Sequence, residues 1–262
     1  MKKQLIHLWG PFSIQSYGLL IVIGILISTW LFLRNPRRMS ILSKDQFNKL
    51  LMVAIISAIV GGRILYVMEN NDIGNVADIF KIWEGGFSLL GSIIAILIAL
   101  PLYLKYIRVP VIPFFDLAAI YAPLLQSIAR IGCFFAGCCY GVETNVPWAI
   151  VYKDPHSIAP LFKKMHPTQL YSSFLLFMIF LFMVFYASKR LKKPGQLICT
   201  YLAFAATERF LTDFLRADRT LLSQSGFLPH FSIHQWLALL IAVSSCITLI
   251  GIQLFPTTET GK

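Results

Sequence analysis

Of 262 residues, 57% are apolar and only 13% charged, about half the charged share of a soluble domain of this length. The shortfall is gathered into runs near 20 residues, the length that a hydrocarbon core of about 30 Å asks of a helix. A soluble globular domain is excluded. The formal charge of +11 does not argue for nucleic-acid binding, because the cations flank apolar runs, where they set topology and meet anionic headgroups.

The chain starts Met1-Lys2-Lys3, but the first apolar run is too long for the apolar region of a cleavable signal peptide and ends in arginines, so no such peptide is expected. Seven spans are predicted in an all-α helical bundle: Ile14–Leu33, Leu50–Met68, Phe87–Tyr106, Val111–Ile128, Thr168–Ala187, Gln196–Leu215 and Ile233–Phe255. Asp116 and Pro123 interrupt the fourth. Proline is tolerated in a membrane helix when neighbours satisfy the freed carbonyl. Cys199 and Cys246 sit inside apolar runs, where a small buried hydrophobe is the expected role.

Loop charge sets the orientation. Arg34, Arg37, Arg38 and Lys44 follow the first span, Lys105 and Arg108 the third, and Lys189, Arg190, Lys192 and Lys193 the fifth, whereas Lys81 stands alone between the second and third. Positive residues favour the cytoplasmic side. The N-terminus is therefore expected in the periplasm and the tail Pro256–Lys262 in the cytoplasm, with segments 69–85, 129–167 and 216–232 outside. No repeat divides the chain, which reads as one integral-membrane domain over 1–262 with a periplasmic head at 129–167. That head, with Gly132, Gly137, Gly141, Pro147, Pro155 and Pro160, is the longest stretch outside the spans, and long ordered loops often carry function.

Three arginines stand at apolar positions: Arg63 in the second span, Arg130 at the close of the fourth and Arg209 in the sixth. An arginine at a helix centre costs roughly 2.5–3.5 kcal/mol on insertion scales, so such residues usually face a cavity and serve a purpose. By the topology above, all three approach the outer leaflet. Their planar forks suit phosphate oxygens, and three at one depth would clamp a phosphate. The alternative is bracing: Arg209 and Asp213 are four apart and Arg216 follows three later, a spacing that also suits a structural ion network. Arg63 and Arg130 have no acidic partner at helical spacing. Gly61-Gly62 lets another helix or a lipid approach closely. Tyr17 offers a hydroxyl just inside the first span, as an interface anchor or a site group. At the head of the fifth span, Pro167 suits the first helical position. That puts His166 near the cap and Gln169 and Tyr171 on the first turn, as caps or as site residues.

These residues resemble the prolipoprotein diacylglyceryl transferases. The likeness runs in order through Ser16-Tyr17-Gly18, Gly61-Gly62-Arg63-Ile64-Leu65-Tyr66, Trp83-Glu84-Gly85-Gly86-Phe87-Ser88, and Arg130-Ile131-Gly132 to Gly141. It continues through His166-Pro167-Thr168-Gln169-Leu170-Tyr171, Glu208-Arg209-Phe210 to Arg216, and Ser232-Ile233-His234-Gln235. The resemblance implies transfer of the diacylglyceryl group of phosphatidylglycerol to a cysteine thiol of a lipoprotein precursor, with glycerol phosphate leaving. It also implies lipid-handling or catalytic roles for Tyr17, Arg63, Arg130, Arg209 and Asp213. Cations that stabilise the departing phosphate lower the barrier, and the thiol must become a thiolate.

The chain departs from that family at two places. Leu90 stands where the family has a histidine, and leucine moves no proton; His166 is the nearest replacement in the sequence. Cys133, Ala136 and Cys138 replace the asparagines and glutamate of the family's signature. Cys133, Cys138 and Cys139 could form a disulfide, which an extracytoplasmic position permits, or include a thiolate activated by Arg130. A metal site is the third option, against which the spacing lacks the paired C-x-x-C form of zinc sites.

The expectations are then specific. Arg130, Arg209, Tyr17, Asp213, His166, Cys133, Cys138 and Cys139 are the candidate catalytic residues. Arg63, Arg130, Arg209, Arg216, Gln169 and Tyr171 are the candidate phospholipid-phosphate ligands. The partners are phosphatidylglycerol, other membrane lipid and the signal peptide of a lipoprotein precursor; no cofactor, metal or nucleic acid is expected, and the protein is expected as a monomer in a bacterial inner membrane. The rival readings are a membrane thiol oxidoreductase built on the cysteine cluster and a non-catalytic phospholipid-binding protein.

Overall fold

The computed structural model describes residues 4–9, 12–69, 88–219 and 231–254, and of residues 4–9, 12–15 and Leu89 the backbone alone. The turn Trp83-Glu84-Gly85-Gly86-Phe87, the rest of 70–87 (all but the first residue of the expected outer segment 69–85 among it), residues 220–230 and the tail Pro256–Lys262 lie outside the described residues. The chain forms two compact units, residues 35–114 and residues 1–34 with 115–262.

In the unit of residues 35–114, α2 (Lys44–Glu69) packs on α3 (Leu89–Tyr106). A reciprocal cap starts α2: the Gln46 N–H donates to Ser43 Oγ at 3.1 Å, and the Ser43 N–H to Gln46 Oε1 at 2.8 Å, satisfying two orphan donors at once. The pair closes most tightly at two glycines. A Cβ on Gly61 would stand 2.6 Å from the Gly91 carbonyl oxygen, and one on Gly91 2.3 Å from that of Gly61. The Ser92 hydroxyl donates to the Ala58 carbonyl at 2.7 Å across the same seam. Gly61 is thus the close-approach point that its sequence setting suggests.

The other unit begins with an antiparallel hairpin, β1 (Gln4–Trp9) and β2 (Phe12–Gln15), and runs into α1 (Ser16–Arg34). It continues with the long α4 (Val111–Ala136), then α5 (Thr168–Phe182), which passes through a π-helical turn (Met183–Ala187) into α6 (Ser188–Arg190). It closes with α7 (Gln196–Asp213) and α8 (Ile233–Leu254). Helix α1 lies on α4 at Gly24 and Gly132, whose absent side chains admit Leu125 and Tyr17. Helices α4 and α5 meet at two serines: Ser127 Oγ donates to the Ser173 carbonyl at 2.8 Å and Ser173 Oγ to the Ser127 carbonyl at 2.9 Å. Asp116 of α4 caps α7 from outside its own sequence, accepting the Gly195 N–H at 2.6 Å and the Ile198 N–H at 2.8 Å. An anion there also meets the positive end of the helix dipole.

The fold is mostly helical, and among the described residues five helices are long and apolar enough to cross a bilayer: Ser16–Arg34, Lys44–Glu69, Val111–Ala136, Thr168–Arg190 and Ile233–Leu254. The protein is a multi-pass membrane protein. Helices α3 and α7 coincide with the other two predicted spans but stand outside those five.

One boundary is corrected. The sequence predicts a fourth span that ends at Ile128, with Arg130 at its close and Cys133 in the head, yet α4 continues to Ala136. Residues 129–136 read Ala-Arg-Ile-Gly-Cys-Phe-Phe-Ala, which contains no strong helix stop. The stop is Gly137, at φ +75, whose N–H returns to the Cys133 carbonyl at 2.9 Å, a left-handed glycine closing the last turn. The head therefore starts at 137. It holds a two-residue antiparallel pairing of β3 (Ile150–Val151) with β4 (Lys164–Met165) over a small core of Tyr152, Ala159 and Met165. Helix α5 starts at Thr168, where the fifth span is predicted to start, and this puts Pro167 at the cap rather than at the first helical position.

Candidate active site

Three guanidinium groups from separate turns of the chain line one cavity. Arg130 comes from the last turns of α4, Arg209 from α7, and Arg216 from just beyond the end of α7; Cys139, Thr168, Gln169, Ser172 and Thr212 complete the wall. The enclosed space is about 10 Å³, enough for a single water molecule. Backbone pairing brings these parts together. The Val142 N–H donates to the Leu215 carbonyl at 2.9 Å and the Ala217 N–H to the Tyr140 carbonyl at 3.1 Å, which pins the segment after α7 against the head and carries Arg216 to Cys139.

The first turn of α5 holds the cysteine loop from the other side. Thr168 Oγ1 donates to the Cys139 carbonyl at 2.7 Å, and the Gln169 amide donates to the Cys138 carbonyl at 2.7 Å and to Tyr152 Oη at 3.1 Å. These bonds sustain Cys139 at φ +59, a left-handed conformation that costs energy in a non-glycine residue. They also fix the Gln169 amide, leaving its Oε1 buried without a hydrogen-bond donor among the described residues.

Cys133, Cys138 and Cys139 are free thiols whose sulfurs all lie within 4.8 Å of one another. Arg130 Nη1 points at Cys139 Sγ at 3.7 Å. The Cys139 thiol is held well below the ordinary thiol range, first by hydrogen bonds from Cys133 and Cys138 and then by Arg216 and Arg130, against the opposing effect of burial. Cys138 is pushed up, by its hydrogen bonds to Cys133 and Cys139 and by burial. Burial likewise pushes the neighbouring Tyr152 phenol up to about 12.

Asp213, 1% exposed, sets one oxygen 3.1 Å from Arg209 Nη2, close enough for an ion pair though not aligned as a hydrogen bond; its other oxygen accepts from the Ser232 hydroxyl. The expected chain Arg209–Asp213–Arg216 is half formed. Arg216 turns instead to Asp218, with Nε and Nη2 each 2.8 Å from a carboxylate oxygen. The reason is local: α7 ends at Asp213, so the helical spacing that would put Arg216 back over Asp213 is lost. Among the described residues no carboxylate lies within ion-pair reach of Arg130.

The remaining predicted residues fall elsewhere. Tyr17 packs against Gly132 and is within electrostatic reach of Arg130 and the cysteines. His166 and Tyr171 are not among the cavity's lining residues. His166 Nδ1 stands 3.2 Å from Tyr171 Oη, which accepts from the indole of the exposed Trp148 at 2.6 Å. Arg63 belongs to the other unit, where it is buried with its guanidinium 5.5 Å from the Tyr66 ring centroid.

Sequence reading missed Thr168, Ser172 and Thr212 on the wall, and Glu208 behind it. Ser172 Oγ donates to Glu208 Oε1 at 2.5 Å. The available signal was spacing: Ser172 follows Gln169 by three residues and Thr212 follows Arg209 by three, so each repeats a candidate one helical turn on. Beyond Glu208, Leu175, Met178, Ile179 and Phe182 of α5 and Phe204 and Leu211 of α7 form an apolar groove of about 320 Å³.

Residues 3–251 match the family described as prolipoprotein diacylglyceryl transferase. The chain is 34% identical to the phosphatidylglycerol–prolipoprotein diacylglyceryl transferase of Clostridium tetani, over 89% of this chain and 94% of that protein. It is 34% identical to a protein of the same name from Clostridium perfringens, over 84% and 87%, and 31% identical to one from Thermotoga maritima, over 80% and 73%. On the extent of the family match and on these identities, the chain belongs to the prolipoprotein diacylglyceryl transferase family.

Proposed function

We propose that the protein transfers the diacylglyceryl group of phosphatidylglycerol to the cysteine thiol of a lipoprotein precursor, releasing glycerol phosphate. The supporting observation is the convergence of Arg130, Arg209 and Arg216 on one cavity. Breaking the carbon–oxygen bond adds negative charge to a phosphate that already carries one. Preorganised guanidinium donors stabilise that added charge more than the starting ester, which is the differential that lowers a barrier. Asp213 fixes Arg209 and Asp218 fixes Arg216, so two of the forks are oriented before substrate arrives. Arg130, with no carboxylate within ion-pair reach among the described residues, is the one left to meet the phosphate most strongly. The wall must part to admit a headgroup, since its space in this form holds one water molecule.

In this reading the chain crosses a bacterial inner membrane seven times as a monomer, with the N-terminus periplasmic, the C-terminus cytoplasmic and the head of 137–167 on the periplasmic side. The apolar groove between α5 and α7 receives an acyl chain, and Arg63 offers its guanidinium to an anionic headgroup. Tyr17 supports the cysteine end of the cavity. Gln169 offers its spare oxygen to the incoming thiol, and His166 and Tyr171 guide the precursor's signal peptide at the rim beside Trp148. The deciding experiment joins complementation of a strain depleted of its own diacylglyceryl transferase to an assay of purified protein with phosphatidylglycerol and a precursor peptide. Rescue together with a thioether-linked lipid on the peptide is the expected result. Neither rescue nor product would overturn the reading.

A further inference from the structure

Glu208 has no part in the chemistry above, yet it is a carboxylate 6% exposed on a helix that faces an apolar groove. Such a group is costly to bury unless its oxygens are satisfied. Among the described residues no cation lies within ion-pair reach of it. Its donors are hydroxyls: Ser172 Oγ at 2.5 Å and Thr212 Oγ1 at 3.3 Å, the latter shared with the Glu208 carbonyl at 2.9 Å. Both hydroxyls line the arginine cavity, and Glu208 stands behind them.

A serine hydroxyl has one proton to give and two lone pairs to offer. Ser172 directs its proton at Glu208, so toward the cavity it can only accept. Gln169 Oε1, one helical turn away on the same wall, is a second buried acceptor and has no donor among the described residues. A chamber walled by guanidinium groups thus also presents acceptors suited to a ligand that brings in a proton. The other candidates for receiving that proton are engaged: Asp213 with Arg209 and Ser232, the Cys139 sulfur with the Arg130 guanidinium, and His166 with Tyr171 away from the wall. Leu90, at the position where the family resemblance calls for a histidine, can take none.

We propose that Glu208, acting through Ser172, accepts the proton of the thiol that attacks the lipid. The proposal rests on the transferase reading. The thiol S–H donates to Ser172 Oγ as the Ser172 proton passes to Glu208 Oε1. The sulfur pair forms the carbon–sulfur bond to the diacylglyceryl carbon, and the carbon–oxygen bond to phosphate breaks with its electron pair on the phosphate oxygen. Glycerol phosphate leaves with one more negative charge, and Glu208 returns its proton through Ser172 to water once the cavity empties. Glu208 is a positioning and proton-accepting residue that does not touch the reacting carbon or the phosphate. Of the ionisable groups around it, Tyr201, Arg209 and Asp213 lie on its own helix; α5 meets it with Ser172 and apolar side chains; α8 carries only His234 and Cys246, both exposed.

The test uses the full chain in phosphatidylglycerol proteoliposomes with a precursor peptide, comparing wild type, Glu208→Gln and Ser172→Ala. Glutamine keeps the shape and an acceptor for Ser172, so folding is preserved. At pH 7 both variants lose on the order of 100-fold in kcat, the usual scale of acid–base assistance, with KM for the lipid unchanged. Their rates then climb about tenfold per pH unit toward about pH 8.5, where a free thiol ionises unaided, and the wild type shows no such climb. A Glu208→Gln rate within threefold of wild type, or a loss that does not change with pH, overturns the proposal. Inactive wild type overturns the transferase reading itself, and this inference with it.

Discussion

Arg130 and Cys139 face each other at the end of α4, guanidinium nitrogen to sulfur, at 3.7 Å. With Arg216 on the same cavity wall, the arrangement favours a thiolate on Cys139, while Cys138, next to it in the chain, is driven the other way. An ordinary thiol is about 1% ionised near pH 6.5. Iodoacetamide at that pH should therefore label Cys139 well before Cys138, and Arg130→Ala should slow the labelling of Cys139. Peptide mapping of labelled protein reads the order directly, and equal rates at the two positions would contradict it.

Arg130→Ala should cost at least 10²–10³-fold in turnover, the scale for removing one preorganised donor to developing charge. Arg130→Lys should recover little, because an ammonium cannot reproduce the planar fork. Size-exclusion profiles of both variants should match wild type, since Arg130 braces no carboxylate among the described residues. Normal turnover in Arg130→Ala would show the clamp to be misassigned.

Gln169→Leu keeps the volume but strands the Cys138 carbonyl and Tyr152 hydroxyl that Gln169 now satisfies. Leaving a buried polar group unpaired costs about 1–3 kcal/mol. Thermal unfolding in detergent should fall accordingly, and the Cys139 labelling rate should change with it as the loop loses its anchor. An unshifted melting curve would mean that the anchor is redundant.

Gly61→Ala would put a methyl 2.6 Å from the Gly91 carbonyl and 2.2 Å from Ala95 Cβ. Neither neighbour is the end of a flexible chain, so the helices must part. Overpacking of this kind costs about 1–3 kcal/mol. Gly18→Ala, where an added methyl meets nothing within 4 Å, is the control that should leave the melting temperature unchanged.

The membrane class, the arginines and the order of helices were legible because each rests on a strong local signal: a long apolar run, or a cation where none is cheap. The family likeness was legible because its short segments keep their order along the chain. The end of α4 was not, since glycines at 132 and 137 look alike in sequence and only the second adopts the left-handed conformation that stops the helix. Arg216 was tied to the wrong acid, because a spacing rule for helices was carried past the point where the helix stops. Ser172 sits in the pair Ser172-Ser173 and Glu208 between Thr207 and Arg209, and sequence cannot tell which hydroxyl of α5 reaches which carboxylate of α7.

Asp116 has a consequence for how the chain assembles. The opening N–H groups of α7 find their acceptor 79 positions earlier in the chain, and the residues just before that helix, Lys192-Lys193-Pro194-Gly195, supply no side-chain acceptor of their own. The start of α7 therefore depends on α4 for its cap, and a single carboxylate ties together two segments that lie far apart along the chain.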